Sequence, residues 1–293
     1  MIYRNYGSDD MKVSAIGFGA GHIGGENLSE EEVGKLLNEV LDTGITLFDT
    51  ARGYNLSEER IGRHLAHRRA ETILSTKVGY GIVGREDWSY DGIIDGVNLA
   101  LKNLRTEYVD IVHLHSCSLE ILQRGEVISA LERCKQEGKI RKIAYSGENQ
   151  ELIEAILNKT FDGIQCSVNV CDQKSARDFL PFAKARKMGI IAKRPLANVP
   201  WRYEHLPSGQ YVENYWKRFK TLEFDKLGLN WQEVALRYVV FHTDISSAII
   251  GSTNIENIRK NCKILEQGPL PLEIVHLLHS KFDTYKNEWN GEV

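Results

Sequence analysis

Cysteine is scarce and unpatterned in this chain: Cys117, Cys134, Cys166, Cys171 and Cys262 are an odd, scattered set among 293 residues, with no CxxC pair. That spacing argues against a disulfide framework or a zinc knuckle and points to reduced thiols. Charge of one sign is also missing. With 37 Lys+Arg against 40 Asp+Glu, net −3, the surface offers no broad positive field to a nucleic-acid backbone. No window approaches the roughly 18 uninterrupted apolar residues that span a bilayer, and residues 1–6 lack the apolar run of a signal peptide. The expectation is a cytosolic protein with neither nucleic acid nor membrane as partner. There is no low-complexity linker.

What is present is a foldable mixture, 42% hydrophobic and 26% charged, enough to build a sizeable core. Length alone allows two domains, or one α/β barrel of about 250 residues with additions. The pattern favours the barrel. Short apolar, β-branched runs fall at residues 15–18, 45–48, 72–76, 109–114, 140–145, 163–166, 189–192 and 247–250. Between them stretches of helical spacing cover 30–41, 58–66, 91–104, 119–137, 151–157, 176–186, 232–241 and 255–265. Ser29 precedes three glutamates as an N-cap, and Gly44 and Gly138 follow helices as C-caps. Most of the runs are continuously apolar, as parallel strands covered on both faces require. Eight strands alternating with eight helices predict one (β/α)8 barrel over residues 1–293. A doubly wound sheet is the rival, but no GxGxxG follows the first run. Residues 3–13 suit a hairpin under the barrel, and residues 272–289 a terminal helix. The interval between Ala192 and Ser247 holds an aromatic, basic insertion that either overhangs the carboxyl-end mouth or packs on the barrel side.

Barrels place chemistry at strand carboxyl ends. Asp49 ends the second run with Tyr54 shortly after it, Lys77 ends the third, and His115 ends the fourth. Singly, each reads as an ordinary cap or packing residue. Together they form a proton-transfer set. A phenol titrating near about pH 10 is a poor acid at neutrality, and a nearby ammonium eases its proton loss. In this reading Lys77 tunes Tyr54, Asp49 holds Lys77 charged, and His115 orients a carbonyl, so that Tyr54 protonates an oxygen. Gly251-Ser252-Thr253-Asn254 follows the eighth run and opens a helix, a place where barrels bind phosphate; the same residues serve equally as plain caps.

These residues resemble the aldo-keto reductases over nearly the whole chain. The matching stretches are Val13 to Gly19, Gly44 to Ala51 with Tyr54, Ser75-Thr76-Lys77, Tyr108 to His115, Gly138 to Arg141, Asp162 to Gln165 with Asn169, Pro195-Leu196, and Ile250-Gly251-Ser252. The resemblance implies a barrel that binds NADP(H), or alternatively NAD(H), without a Rossmann domain, and a small carbonyl or alcohol substrate. Carried over by motif position, Asp49, Tyr54, Lys77 and His115 are catalytic. Ser146 and Gln165 hold the nicotinamide carboxamide. Gly19, Ala20, Asp49, Lys193, Pro195, Leu196, Gly251, Ser252, Thr253, Asn257 and Asn261 complete the cofactor site. His22, Tyr54, His115 and Trp201 face substrate, with Trp88 and Tyr203 near the mouth; no metal is expected.

Several positions depart from the family pattern. A Lys is replaced by Gly251, an Arg by Asn257 and an acidic residue by Lys260, which removes the cations that usually grip a 2′-phosphate and leaves Arg259 and Lys260 as substitutes. Gly147 stands for an Asn, and Lys193 for a stacking aromatic, so Lys193 is expected to face the pyrophosphate. Two other readings remain. His113 and His115 share one strand face and fit a metal-dependent barrel hydrolase; family members resembling potassium-channel β subunits bind the cofactor and regulate a partner.

Overall fold

A computed structural model describes residues 1–8 and 11–292. The first two strands, β1 (Tyr3–Asn5) and β2 (Lys12–Ser14), pair antiparallel; the turn of the expected hairpin, at Asp9 and Asp10, lies outside the described residues. Eight parallel strands then close into a barrel: β3 (Ile16–Gly19), β4 (Leu47–Asp49), β5 (Ile73–Val78), β6 (Val109–His115), β7 (Ile140–Ser146), β8 (Gly163–Ser167), β9 (Gly189–Lys193) and β10 (Ser247–Ile250). They neighbour one another in chain order, and β10 returns to β3, giving the single α/β barrel that the alternation predicts. All the strands but the last run at least one residue beyond the apolar stretch that announces them, into Gly19, Asp49, Val78, His115, Ser146, Ser167 and Lys193. Those extensions carry most of the polar side chains discussed below.

The helices are α1 (Glu30–Asp42), α2 (Ser57–Leu65), α3 (Tyr90–Leu104), α4 (Leu119–Arg124), α5 (Glu126–Gln136), α6 (Asn149–Leu157), α7 (Leu180–Ala185), α8 (Glu213–Thr221), α9 (Trp231–His242), α10 (Ile255–Leu265) and α11 (Leu272–Asp283). Ser29 forms a full capping box with Glu32, and Gly44 and Gly138 take left-handed φ of 90° and 74°, as their helix-end positions demand. Three helices differ from expectation. Residues 119–137 are two helices, because Gly125 sits at φ 76° between them. The 176–186 stretch opens with a π turn at Ser175–Phe179 before α7. The terminal helix stops at Asp283, and residues 290–292 instead hydrogen-bond to Asn149, Ser167, Arg194 and Arg218. Among the described residues no helix is long and apolar enough to cross a membrane.

The bottom of the barrel is closed by Tyr6, which leaves the hairpin and is 1% exposed among Val13, Leu47, Ile111, Ala144 and Ile191. Room for its ring comes from Gly163 and Gly189 at the starts of β8 and β9. A Cβ on Gly189 would stand 2.4 Å from three ring atoms, and one on Gly163 would stand 2.0 Å from the hydroxyl. Overpacking of this kind costs about 1–3 kcal/mol. Gly189→Ala is therefore expected to lower the unfolding free energy by that amount in urea titration, with the midpoint falling accordingly, while an unchanged midpoint would show that Tyr6 does not plug the barrel.

Candidate active site

The strand register sets the site. Asp49 lies level with Ser75, Lys77 with His113, His115 with Ser146, and Ser146 with Gln165. Asp49, buried at the end of β4, is the hub. Its Oδ2 accepts from Lys77 Nζ at 2.6 Å, and its Oδ1 accepts from Ser75 Oγ at 2.7 Å and from Gln165 Nε2 at 3.0 Å. Lys77 Nζ also donates to the Thr50 carbonyl at 3.0 Å. The network spreads outward: Ser75 Oγ pairs with His113 Nε2 at 3.1 Å, and Ser146 Oγ donates to Gln165 Oε1 at 3.1 Å. Burial opposes charge on both Asp49 and Lys77. Their mutual attraction and hydrogen bonds outweigh it, holding the Asp49 carboxyl below and the Lys77 ammonium above their ordinary ranges.

Tyr54 follows β4 on a tight turn in which its N–H donates to the Ala51 carbonyl at 3.0 Å. The turn lies on Gly24, where a Cβ would stand 2.0 Å from the Tyr54 carbonyl oxygen. Lys77 Nζ is 5.0 Å from the Tyr54 ring centroid. His115 meets Tyr54 edge-on, centroids 6.0 Å apart at 88°. Burial and the nearby Lys77 push the His115 imidazole down to about 3, so it is neutral at physiological pH. The four residues singled out in the sequence thus converge on one point. A fifth, Tyr80, bonds His115 Nδ1 at 2.9 Å; nothing in sequence spacing marked it.

A cleft of about 620 Å³ runs from Asp49, Tyr54 and Gln165 to the start of α10. Of the expected cofactor residues, Gly19, Asp49, Gln165, Lys193, Pro195, Leu196, Gly251, Ser252, Asn257 and Asn261 line it, as does His22. Ala20 and Ser146 are buried behind its wall; Thr253, His115 and Trp201 stand outside its lining. Trp201 packs on Phe219 at 6.1 Å and Trp88 on Tyr80 at 5.9 Å. The insertion does both things considered for it. Arg194, Asn198, Val199, Arg202 and Tyr211 line the cleft, while Phe219, Phe224 and Trp231 close an aromatic cluster with centroids 4.7–5.8 Å apart. Gln232, not singled out in the sequence, donates to Asn261 Oδ1 at 2.9 Å.

Charge is uneven along the cleft. Lys193 reaches Glu148 Oε1 at 3.3 Å; burial pushes the Glu148 carboxyl up and the Lys193 ammonium down against that attraction. Arg194 donates to the Glu292 carbonyl at 2.6 Å, and Glu292 binds Arg218 at 2.6 Å and Asn214 at 2.9 Å through its side chain. Its N–H donates to buried Asp172 at 2.9 Å. These bonds tie residues 290–292 over the ends of β8 and β9. At the far end the lining is neutral: Ser252 Oγ accepts from Asn257 Nδ2 at 3.1 Å, and Arg259 is engaged by Glu256 at 2.5 Å and Glu39 at 3.5 Å. For the hydrolase reading, no group of three or more His, Cys, Asp or Glu among the described residues is placed to hold a metal ion.

The aldo/keto reductase family model matches residues 15–281. The chain belongs to the aldo/keto reductase family. The "uncharacterized oxidoreductase YqkF" of Bacillus subtilis is 27% identical, with 98% of this chain and 99% of that protein covered. L-galactose dehydrogenase of Arabidopsis thaliana is 28% identical over 88% of this chain and 86% of that protein. Among solved structures, the holo form of aldo-keto reductase AKR11C1 from Bacillus halodurans superposes with a TM-score of 0.83 at 28% identity, covering 96% of both chains. These relatives cover 88–98% of this aldo-keto reductase.

The Asp49–Lys77 pair has a measurable signature. A carboxyl held below its ordinary range stabilises the fold above about pH 4 and loses that contribution as pH falls; an ammonium held above its range loses its contribution only past about pH 10. Asp49→Asn leaves a buried ammonium uncompensated, which costs about 3–5 kcal/mol. Chemical denaturation at pH 7 should show that loss, and the gap between wild type and variant should narrow below pH 4. An equal gap at both pH values would contradict the assignment.

Proposed function

We propose that this aldo-keto reductase is an NAD(P)(H)-dependent oxidoreductase that interconverts a carbonyl and an alcohol on a small aldehyde, ketone or sugar, with Tyr54 as general acid and base. The observation that carries this reading is the buried Asp49–Lys77 ion pair, 2.6 Å long, set beneath the Tyr54 ring with neutral His115 across from it. A nicotinamide dinucleotide bound in the cleft would supply the hydride. The proton belongs to the protein: Tyr54 Oη delivers it to the substrate oxygen in reduction and takes it back in oxidation. The Lys77 ammonium favours negative charge on the phenol oxygen as the proton leaves. Asp49 keeps that ammonium charged and fixed, and His115 orients the substrate oxygen by hydrogen bonding. A tetrad assembled in this way favours turnover over a purely regulatory role.

The cleft residues fit a dinucleotide. The β10–α10 turn comes so close to β3 that a Cβ on Gly251 would stand 2.8 Å from the Gly19 carbonyl, which leaves a backbone cradle at the mouth. Lys193, Arg194 and Arg202 lie along the cleft where a pyrophosphate needs positive charge. Gln165 offers its amide to a carboxamide, with Ser146 bonded behind it, and Asn257, Asn261 and Gln232 offer neutral polar groups to the adenosine end. With Arg259 engaged by two glutamates, the adenosine end gives a 2′-phosphate no dedicated bidentate partner.

Two outcomes follow. Tyr54→Phe should lower turnover of an aldehyde panel at least about a hundredfold, the scale of a lost general acid, with dinucleotide affinity nearly unchanged; wild-type rates in the variant would overturn the assignment. Fluorescence titration should give NADPH less than a tenfold advantage over NADH, that is, under about 1.4 kcal/mol. A larger NADPH preference would mean that Lys260 or Arg259 grips the 2′-phosphate after all.

A further inference from the structure

Tyr80 has no part in the tetrad, yet it is held more tightly than a loop aromatic needs to be. It follows β5 by two residues and lies against the His115 ring, centroids 5.4 Å apart at 24°, with its hydroxyl 2.9 Å from Nδ1. Trp88 closes on it from outside at 5.9 Å and 63°. Trp88 in turn occupies the space over Gly79, where a Cβ would stand 2.0 Å from the indole; Gly79 adopts φ 149°, a conformation costly for any other residue. On the opposite side Gly53, the neighbour of Tyr54, leaves room for the Tyr80 hydroxyl, since a Cβ there would stand 2.8 Å from that oxygen. Two glycines and an indole thus fix one phenol between the Tyr54 loop and His115.

The chemistry of the bond turns on one proton. His115 is neutral, and a neutral imidazole carries hydrogen on one nitrogen only, the other being an acceptor. Burial, with the neighbouring Tyr54, pushes the Tyr80 hydroxyl up, so it keeps its proton to donate. Among the described residues His115 Nδ1 is the hydrogen-bond partner of that hydroxyl. Had Nδ1 held the imidazole proton, Nε2 would be an acceptor, with nothing to give a carbonyl oxygen.

We propose that Tyr80 is a positioning residue: its hydroxyl donates to His115 Nδ1, selects the Nε2–H tautomer, and so makes His115 a hydrogen-bond donor to the substrate oxygen. The last step rests on the carbonyl-reductase reading above; the tautomer does not. Tyr80→Phe removes one oxygen and keeps the ring that packs between Trp88 and His115, so the fold is retained.

The test uses the full chain labelled with ¹⁵N-histidine, the His115 signal being assigned by its loss in His115→Asn. Long-range ¹H–¹⁵N correlation at pH 7 should show Nε2 protonated and Nδ1 as acceptor, shifting toward a tautomer mixture in Tyr80→Phe. A protonated Nδ1 in the wild type, or an unchanged ratio in the variant, overturns the proposal. With a panel of small aldehydes, kcat in Tyr80→Phe should fall about three- to tenfold, the scale of one lost hydrogen bond, with dinucleotide Kd unchanged; unaltered kcat overturns the role in substrate orientation. Absence of wild-type turnover alongside the expected tautomer would sink the carbonyl-reductase reading and leave the Tyr80–His115 assignment standing.

Discussion

A carboxylate and an ammonium lie 2.6 Å apart inside the barrel, each about 2% exposed, and the rest of the site is organised around that pair. Taking two such groups out of water costs several kcal/mol per ion, and attraction alone seldom recovers it. Here the remaining valences are also satisfied. Ser75 and Gln165 donate to Asp49, and the Thr50 carbonyl accepts from Lys77. Replacing a buried ion pair by apolar residues of similar volume is often neutral or stabilising. The charges are therefore best understood by what they do for the phenol above them, in keeping with the rule that strongly perturbed titratable groups cluster at functional sites.

The parallel barrel makes this arrangement possible. Adjacent strands put Asp49, Lys77 and His115 on neighbouring carboxyl ends with a register that needs no long loop. Tyr54 alone comes from a loop, and glycines at 24 and 53 let that loop close against the barrel and Tyr80. Rigidity is concentrated where proton transfer needs it, since a displacement of about 1 Å costs heavily in rate.

The opposite side of the mouth is built differently. There Glu148, Asp172, Lys193, Arg194, Arg218 and Glu292 form a charged network, and residues 290–292 are part of it. Asp172 is pushed up to about 7 by burial and by Glu148. Four positions of the insertion, Arg194 and the run Ala197 to Val199, adopt left-handed φ of 48–58°, values that for a β-branched residue such as Val199 persist only where surroundings enforce them. The cleft thus has one wall fixed by strand register and one by long-range ion pairs.

Local pattern sufficed for the strands, because parallel strands covered on both faces are apolar throughout and stand out from helical periodicity. It also sufficed for the capping box at Ser29, a purely local contact, and for picking out Asp49, Lys77 and His115 at the ends of consecutive strands with Tyr54 in the loop after the first of them. The apolar pattern ends before the strands do, because the strand ends are polar at the very positions where the site begins. The break at Gly125 and the end of α11 at Asp283 escaped periodicity, which registers spacing and not the left-handed turn or competing tertiary bonds that end a helix. Composition and order along the chain determined the barrel, its strand sequence and the four polar residues at one mouth. Only the tertiary structure decided that Tyr80 meets His115, that Trp201 turns to Phe219, and that residues 290–292 bind Arg194 and Arg218. Those contacts join residues from 18 to 98 positions apart, and their partners are chosen by closure of the barrel, which no local spacing encodes.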